Sequence, residues 1–287
     1  MENEAIVPRA LLLKWQSFSS FWIYRVLLDP IVKTLRFRRR LIFLLGLLVL
    51  ALTVPPILEI YKKNESACNL HFFQNALVSI KQFLRGTEFY SQKDQDRWIL
   101  TCAFPHVRNG YFVDVGSGDG VFMSNTNALE KIGWNGICVD PFPSNMKGRS
   151  CLLLKEVVSD VPGQTVRFRK AGFLGGIEED IGRWKDHETV RQSDVQEFQT
   201  TSLTQILLKA KAPRFIHYVS IDIEGAELDA LKGLDFSKYQ VGAFTIEHNF
   251  EEPKRTQIRQ LLESKGYRFA RSSAQDDYYL LAEPRRN

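Results

Sequence analysis

The feature of this chain that most constrains its fold is a glycine-rich turn directly after an apolar run. Residues 111–115 (Tyr-Phe-Val-Asp-Val) are aromatic or β-branched apart from one aspartate, as is typical of a parallel strand covered on both faces. The glycines at 116, 118 and 120 let the backbone turn tightly and approach a ligand without a Cβ in the way. Because residues 124–132 are compatible with a helix, the segment predicts the first half of a nucleotide-binding βαβ unit.

The spacing of the glycines favours S-adenosylmethionine (SAM) over a dinucleotide. The dinucleotide fingerprint is GxGxxG, but here the third glycine falls one place early, at Gly120, and Val121 takes its position. This departure disfavours a pyrophosphate ligand, and with it a nicotinamide-dependent oxidoreductase. Asp114, two places before the first glycine, suits a cofactor that carries an ammonium group, as SAM does. A glycine motif by itself is equally compatible with a plain βα turn.

A second apolar run ends in an acid at the place where a ribose-binding residue is expected. Asp140 comes 26 residues after Asp114, at the end of the next predicted strand. In a βαβ unit an acid at this position accepts hydrogen bonds from ribose hydroxyls. Because Pro141 follows, the alternative is that Asp140 only begins an Asp-Pro turn.

Two later apolar runs also end in ionisable residues. One is followed by Asp222 and Glu224, and the other by Glu247, His248 and Asn249. The carboxyl ends of strands line the ligand crevice of an open α/β sheet, so these side chains are expected to face the same site as the glycine turn.

With these motifs in place, the chain resembles the FkbM-type SAM-dependent methyltransferases. The resemblance rests on Phe-Val-Asp-Val-Gly at 112–116, Ser-Ile-Asp-Ile-Glu-Gly-Ala-Glu at 220–227 and Leu-Lys-Gly at 231–233, and it covers residues 88–283. It implies a Rossmann-like seven-stranded methyltransferase sheet with helices on both faces. It also implies that the third strand ends near the adenine, at Asp160. The implied SAM-binding residues are Asp114, Gly116, Gly118, Asp140, Asp160 and Asp222.

The resemblance implies two alternative functions. Members of the family typically methylate oxygen, so one expectation is methyl transfer to a hydroxylated small molecule or a glycan. Residues 91–96 and 124–126 look most like the membrane-anchored, Star-related branch. That branch implies the alternative, a catalytically inactive adaptor that binds cargo proteins in the secretory pathway.

Methyl transfer to oxygen requires a group that removes the hydroxyl proton as the bond forms. His248 is the predicted base because its ordinary pKa lies near physiological pH, and Asp222 and Glu224 are predicted to lie beside it. The alternative is a divalent cation held by Asp222 with Glu247 or Asn249, which would lower the pKa of the hydroxyl. This arrangement resembles the metal site of catechol-type methyltransferases.

Positive charge is concentrated in the leading segment of the chain. Residues 1–40 hold eight Lys and Arg against three acids, which accounts for the whole formal net charge of +5. The remainder is neutral overall, which argues against nucleic acid as a partner of the catalytic part. The predicted organisation is a basic segment that could lie on the membrane surface, a transmembrane helix at 41–60, a linker at 61–87 and the methyltransferase-like domain at 88–287.

An uncharged apolar run over residues 41–58 is the basis for the predicted transmembrane helix. As a helix its length would be roughly 27 Å, about the hydrocarbon thickness of a bilayer. The flank before it carries more cations than the flank after it. This difference predicts a cytoplasmic N-terminus and a lumenal catalytic domain in the endoplasmic reticulum or Golgi.

The cysteines and the residues 171–197 each carry a further prediction. The four cysteines form no CxxC pair, which argues against a cysteine-ligated metal. Cys138 is assigned to the core, and a lumenal location would permit a disulfide between Cys68 and Cys102. The glycine-rich and charged residues 171–197 are compatible with a solvated loop or with a lid over the substrate.

Overall fold

The computed structural model describes residues 88–282 of the chain. Its strands are β1 Tyr111–Val115, β2 Asn135–Val139, β3 Leu152–Leu154, β4 Val157–Val158, β5 Thr165–Arg169, β6 Gly176–Ile177, β7 Val195–Thr201, β8 Phe215–Ile221, β9 Gln240–Glu247, β10 Tyr267–Ser273 and β11 Asp276–Leu281. The α-helices are α1 Gln95–Trp98, α2 Asn127–Lys131, α3 Glu188–Arg191, α4 Leu203–Lys209, α5 Glu227–Lys232 and α6 Lys254–Ser264. A π-helical turn, Ile99–Ala103, continues α1, and 3-10 turns lie at Gly172–Leu174 and Gly182–Trp184.

The main sheet has seven strands in the order β10-β11-β9-β8-β1-β2-β3. In this order, neighbouring strands from β9 through β8, β1 and β2 to β3 pair in parallel. By contrast, β11 is antiparallel to both β9 and β10. Val115 pairs with Val139 on one side and Ile221 on the other, and Ile221 pairs with Ile246. This register brings the carboxyl ends of β1, β2, β8 and β9 to one edge, where a ligand crevice is expected.

Helices cover both faces of this sheet because side chains alternate along each strand. Val113 points to the face covered by α4, α5 and α6, where it joins a core that includes Ile206 and Leu262. Its neighbour Phe112 points to the opposite face and joins a core with Trp98 of α1. Fully burying a side chain of this size contributes roughly 1.5–3 kcal/mol, so the two cores hold the strand ends rigidly in place.

A second, smaller sheet forms between β3 and β8, with the order β4-β7-β5-β6. It packs against the segment that follows β2 of the main sheet. The contact is made by three aromatic rings, Phe142, Phe168 and Phe198, whose centroids lie 5.5–5.9 Å apart. The segment 171–197 was predicted as a loop or a lid. It contributes β6, α3 and the first part of β7, so it is ordered secondary structure rather than a plain loop.

The predicted fold class was wrong in its membrane element. It joined the sheet to a transmembrane helix, whereas no helix within residues 88–282 is long and apolar enough to cross a bilayer. The run 41–58 itself lies outside the described residues, as do the predictions for residues 1–40 and 61–87. What the structure supports is an α/β fold with a mixed sheet.

A disulfide joins Cys138 in β2 to Cys151, the residue before β3, with the Cα atoms 5.8 Å apart. The prediction that Cys138 is only a core residue missed this bond, although the residue is fully buried. Cys102 is also disulfide-bonded, and its predicted partner Cys68 lies outside the described residues. Disulfides are typical of oxidising compartments. The lumenal location of the domain stays a prediction.

Candidate active site

A cavity of about 390 Å³ opens where the carboxyl ends of β1, β2, β8 and β9 meet. Its volume lies in the range of small-molecule sites. The glycine turn lines one side, and Asp140, Asp222 and Glu247 line it at the ends of the other three strands. The strand register therefore brings together residues that are more than a hundred positions apart in sequence.

The glycine turn adopts a left-handed backbone, and at Gly116 it leaves no room for a side chain. Gly116 has φ +85°, and a Cβ added there would lie 1.7 Å from the carbonyl oxygen of Asp222. Gly118 has φ +44°, and its N–H donates to Asp140 Oδ2 at 2.9 Å. Left-handed backbone favours glycine, and the close approach at Gly116 requires it. The turn is thus held between the ends of β2 and β8, and the N–H groups of Gly116 and Ser117 both donate to the carbonyl oxygen of Val139.

Asp140 begins the Asp-Pro turn and also lines the cavity, and its role toward a ribose stays a prediction. Its Oδ1 accepts the N–H of Phe142 at 2.7 Å, which is the hydrogen bond of an Asp-Pro turn. Its Oδ2 holds Gly118, and the side chain also lines the cavity. Burial raises the pKa of Asp140. Each carboxylate oxygen has two acceptor positions, so Asp140 retains capacity for ribose hydroxyls.

Asp114 lies beneath the glycine turn and also lines the cavity. It is buried and accepts a hydrogen bond from Thr126 Oγ1 at 2.6 Å. Burial raises its pKa to about 6, with Arg149 acting in the opposite direction. Asp114 therefore provides a carboxyl group on the side of the cavity where the ammonium of SAM was expected.

Asp160, the residue predicted to lie near the adenine, does not line the cavity, but the residues before it do. The hydroxyl of Ser159 donates to the carboxylate of Asp160 at 3.3 Å. The lining residues here are Glu156, Val157 and Val158. The two valines are buried and provide an apolar wall suited to the flat face of a base.

The residues present fit SAM. Ser117 is 5% exposed and lines the cavity, yet its hydroxyl has no hydrogen-bond partner. A buried polar atom without a partner is costly, and a ligand group in the cavity would satisfy it. Asp140, Asp114 and the valine wall also line this cavity, at the positions where the sequence predicts contacts with the ribose, the ammonium group and the adenine.

A cluster of three acids lies in the same cavity. Oxygen atoms of Asp222, Glu224 and Glu247 can be chosen that all lie within 4.8 Å of one another. Asn249 Nδ2 donates to Glu224 at 3.0 Å and to Glu247 at 2.7 Å. Hereafter these three acids are called the carboxylate cluster. Asn249 directs its N–H₂ group, rather than its oxygen, at the cluster, so it serves there as a donor. A divalent cation at this cluster stays a prediction.

The three acids oppose one another's ionisation. Burial raises the pKa of Glu247, and the charges of Asp222 and Glu224 raise it further. Burial also raises the pKa of Glu224 to about 8, with Asp222 and Glu227 adding to the effect. Carboxylates with raised pKa values are stronger bases than usual near neutral pH. The ionised form of Glu224 can therefore accept a proton from a bound hydroxyl, whereas Glu247 keeps its own proton near neutral pH.

The comparison with protein families identifies the domain. The sequence profile described as the Methyltransferase FkbM domain matches residues 114–269, more than half of the chain. The chain belongs to the FkbM methyltransferase family. Its place in the Star-related branch stays a prediction, and no curated protein matches the sequence.

One solved structure resembles the FkbM domain in outline. It is a Pyrococcus horikoshii protein proposed to be an RNA methyltransferase, with 10% sequence identity to this chain. The match covers 69% of this chain and 89% of that protein, with a TM-score of 0.33.

The FkbM domain places His248 away from the cavity. The side chain is buried, its Nε2 lies 3.4 Å from Asp277 Oδ1, and its Nδ1 accepts the N–H of Phe250 at 3.0 Å. His248 is not among the lining residues, whereas its neighbour Glu247 is. Successive side chains along an extended segment point in opposite directions, so only one of the two faces the site.

Glu227 supports the site, although the sequence motif that contains it predicted no role for this residue. It is 2% exposed, and its Oε1 accepts the N–H of Gly225 at 2.7 Å. This bond stabilises a turn in which Glu224 has φ +56° and Gly225 has φ +132°. Glu227 thereby holds the left-handed turn that presents Glu224 to the cavity. Its spacing in Asp-Ile-Glu-Gly-Ala-Glu was the available signal.

The other lining residues that were missed come from distant segments of the FkbM domain. Gln92 and Gln275 lie 183 positions apart, and Gln275 Nε2 donates to Gln92 Oε1 at 3.0 Å. Phe173 and Trp184 come from the segment that was predicted as a loop or a lid. Because both side chains line the cavity, this segment lies beside the site, as the lid interpretation requires.

Proposed function

We propose that this FkbM methyltransferase transfers a methyl group from SAM to an oxygen of a hydroxyl-bearing acceptor. The observation that carries the proposal is that one cavity contains both the glycine turn with Asp140 and the carboxylate cluster. The first set of residues fits a nucleoside with an amino-acid tail. The second set provides a base beside it.

SAM, when bound, supplies a methyl group already activated on a sulfonium. The chain then has two tasks, which are to hold the hydroxyl oxygen in line with that methyl group and to remove the hydroxyl proton. Glu224 is the proposed base, because burial and the neighbouring Asp222 raise its pKa to about 8. Glu224 in its ionised form would take the proton of the acceptor hydroxyl as that oxygen replaces the sulfur on the methyl group, and S-adenosylhomocysteine, a neutral thioether, would be the other product.

Calorimetric titration of SAM into the full-length chain tests the proposal. We expect micromolar binding that weakens at least tenfold in Asp140→Ala. The matched control is Asp160→Ala, which removes a similar acid after the neighbouring strand, outside the cavity lining, and should leave the affinity unchanged.

Two results would contradict this proposal. One is no heat from a chain whose circular dichroism shows it to be folded, and the other is equal affinity in both variants. The first result would make the predicted adaptor for secretory cargo the better hypothesis, because an adaptor needs the fold but not the cofactor site, and the second would show that SAM binds without Asp140.

A further inference from the structure

Two exposed phenylalanines lie at the mouth of the cavity. Phe122 is 58% exposed and Phe173 is 56% exposed, and yet both side chains line the cavity. A side chain that borders both the cavity and the solvent lies where the two meet. Large apolar side chains that are exposed together are informative, because such surfaces are often covered by a ligand or a partner. These two side chains are hereafter called the aromatic clasp.

The two rings of the aromatic clasp come from different parts of the fold. Phe122 follows the glycine turn, whereas Phe173 lies in the connection between β5 and β6 of the second sheet. The ring centroids are 5.9 Å apart, and the ring planes are tilted by 60°. This arrangement is within the range of a favourable aromatic pair. The contact therefore connects the second sheet to the glycine turn of the main sheet.

An ordered backbone holds Phe122 in this position. Its N–H and that of Val121 donate to Asp119 Oδ1 at 2.7 and 2.9 Å. On the other side of the ring, Met123 forms a β-bridge with Ser91. The exposure of the Phe122 ring is thus set by a hydrogen-bonded turn and not by a loose loop.

The position of Phe173 is also fixed by its neighbours. Ala171 and Leu174 pack in a small apolar cluster with the buried Ile181, and the N–H of Leu174 donates to the carbonyl oxygen of Ala171 at 3.3 Å. Phe173 lies between these residues but is not part of their cluster. Its ring instead lies over the glycine turn, where a Cβ built on Gly118 would be 3.8 Å from a ring carbon.

The aromatic clasp therefore lies on the cofactor side of the cavity. Gly118, which the Phe173 ring covers, donates its N–H to Asp140, the residue predicted to bind the ribose. A ligand bound against the glycine turn would lie next to both rings and remove apolar surface from water. Because the two rings are positioned by separate elements, this surface is in place before the ligand binds.

We propose that the aromatic clasp covers SAM at the glycine turn and slows its release. The two rings support each other across the mouth, so that neither closes it alone. The segment 171–197 then acts as a lid on the cofactor and not on the acceptor. The inference rests on the proposed function, since it takes SAM as the ligand of the glycine turn.

Dissociation of radiolabelled SAM from the full-length chain tests the inference. The loaded protein is diluted into excess unlabelled SAM, and the label that stays bound is followed by filter binding. Loss of one aromatic contact, in Phe122→Ala or in Phe173→Ala, should speed the release about fivefold. The double variant should release SAM no faster than either single variant, because each single change already opens the clasp.

Two control variants separate the clasp from a general loss of structure. Phe173→Tyr keeps a ring at this position and should release SAM at the wild-type rate. Phe250→Ala removes a phenylalanine that is 60% exposed but does not line the cavity, and it should also leave the rate unchanged.

The outcomes distinguish the inference from the proposed function. Wild-type release rates in both alanine variants would overturn the inference and leave the proposed function intact. A double variant whose effect is the product of the two single effects would also overturn it, since the rings would then act separately. No binding of SAM by the folded wild type would overturn the proposed function, and the inference with it.

Discussion

Replacing Glu247 with Gln should remove much of the pH dependence of stability that the carboxylate cluster creates. Glu247 is 6% exposed, and burial together with the charges of Asp222 and Glu224 raises its pKa. In its protonated form it hydrogen-bonds with Asp222 and accepts from Asn249 Nδ2 at 2.7 Å. A glutamine reproduces both contacts, because its amide has one donor group and one acceptor, and it needs no proton to do so.

The sign of the effect follows from proton uptake on folding. Glu247 loses its proton near pH 4.5 in the unfolded chain but keeps it well above that value in the folded one. Its contribution to stability is therefore fully present below pH 4.5 and is lost as the pH rises toward the folded pKa. One retained proton costs about 1.4 kcal/mol per pH unit, so the wild type should lose about 2.7 kcal/mol relative to Glu247→Gln between about pH 5.5 and pH 7.5.

Urea unfolding followed by circular dichroism, repeated across this pH range, measures the difference. Glu251→Gln is the control. Burial raises the pKa of Glu251, but hydrogen bonds from Lys254 and the Arg183 N–H outweigh it and lower the pKa. Both its folded and unfolded titrations therefore lie below the range, and its curve should run parallel to the wild type. If the Glu247→Gln curve also stays parallel, within about 0.5 kcal/mol, the reasoning is refuted.

Three further predictions concern the site and its support. Gly116→Ala should abolish SAM binding and lower Tm more than Gly163→Ala, measured by thermal unfolding. Both glycines have positive φ, but an added Cβ would meet a backbone oxygen at 1.7 Å only at Gly116 and nothing within 4 Å at Gly163. Replacing Cys138 and Cys151 together with Ser should lower the free energy of unfolding in urea by about 2–3 kcal/mol, and an unchanged value would contradict a stabilising role. SAM should change the fluorescence of the wild type but not of Trp184→Phe, because Trp184 lines the cavity.

The strand ends could be predicted from the sequence because each is a short apolar run followed at once by an acid. β1 spans the residues that its composition indicated, and the turn after it lines the cavity. Asp140, Asp222 and Glu247 also line it, each at or directly after the end of a parallel strand. Strand direction alone brings such residues to one edge of the sheet, so no knowledge of packing was needed.

Which of the side chains at the end of β9 faces the cavity could not be predicted in the same way. Glu247 and His248 are neighbours, and pattern alone does not show which of them faces the cavity. The answer depends on how β9 is registered against β8, where Ile246 pairs with Ile221. A shift of one residue would exchange the two side chains. Register depends on packing across the whole sheet, which lies beyond the reach of local sequence.

The second sheet was missed for a different reason. β4 and β6 have two residues each, too few to show a period. β4 pairs with β7, which is distant in sequence, whereas β6 pairs with β5 across a short glycine-rich connection. A two-residue strand is stabilised by its partners and not by its own propensity, so composition indicated a loop.

The properties of the carboxylate cluster depend on the tertiary arrangement of its residues and not only on their sequence motifs. Asp222, Glu224 and Glu247 each lie at or just after the end of an apolar strand. That position alone lowers the stability of the fold very little. The fold places them within 4.8 Å of one another and behind apolar side chains, and only then do their pKa values rise. The cluster therefore lowers the stability of the empty domain at neutral pH, a trade typical of binding and catalytic sites.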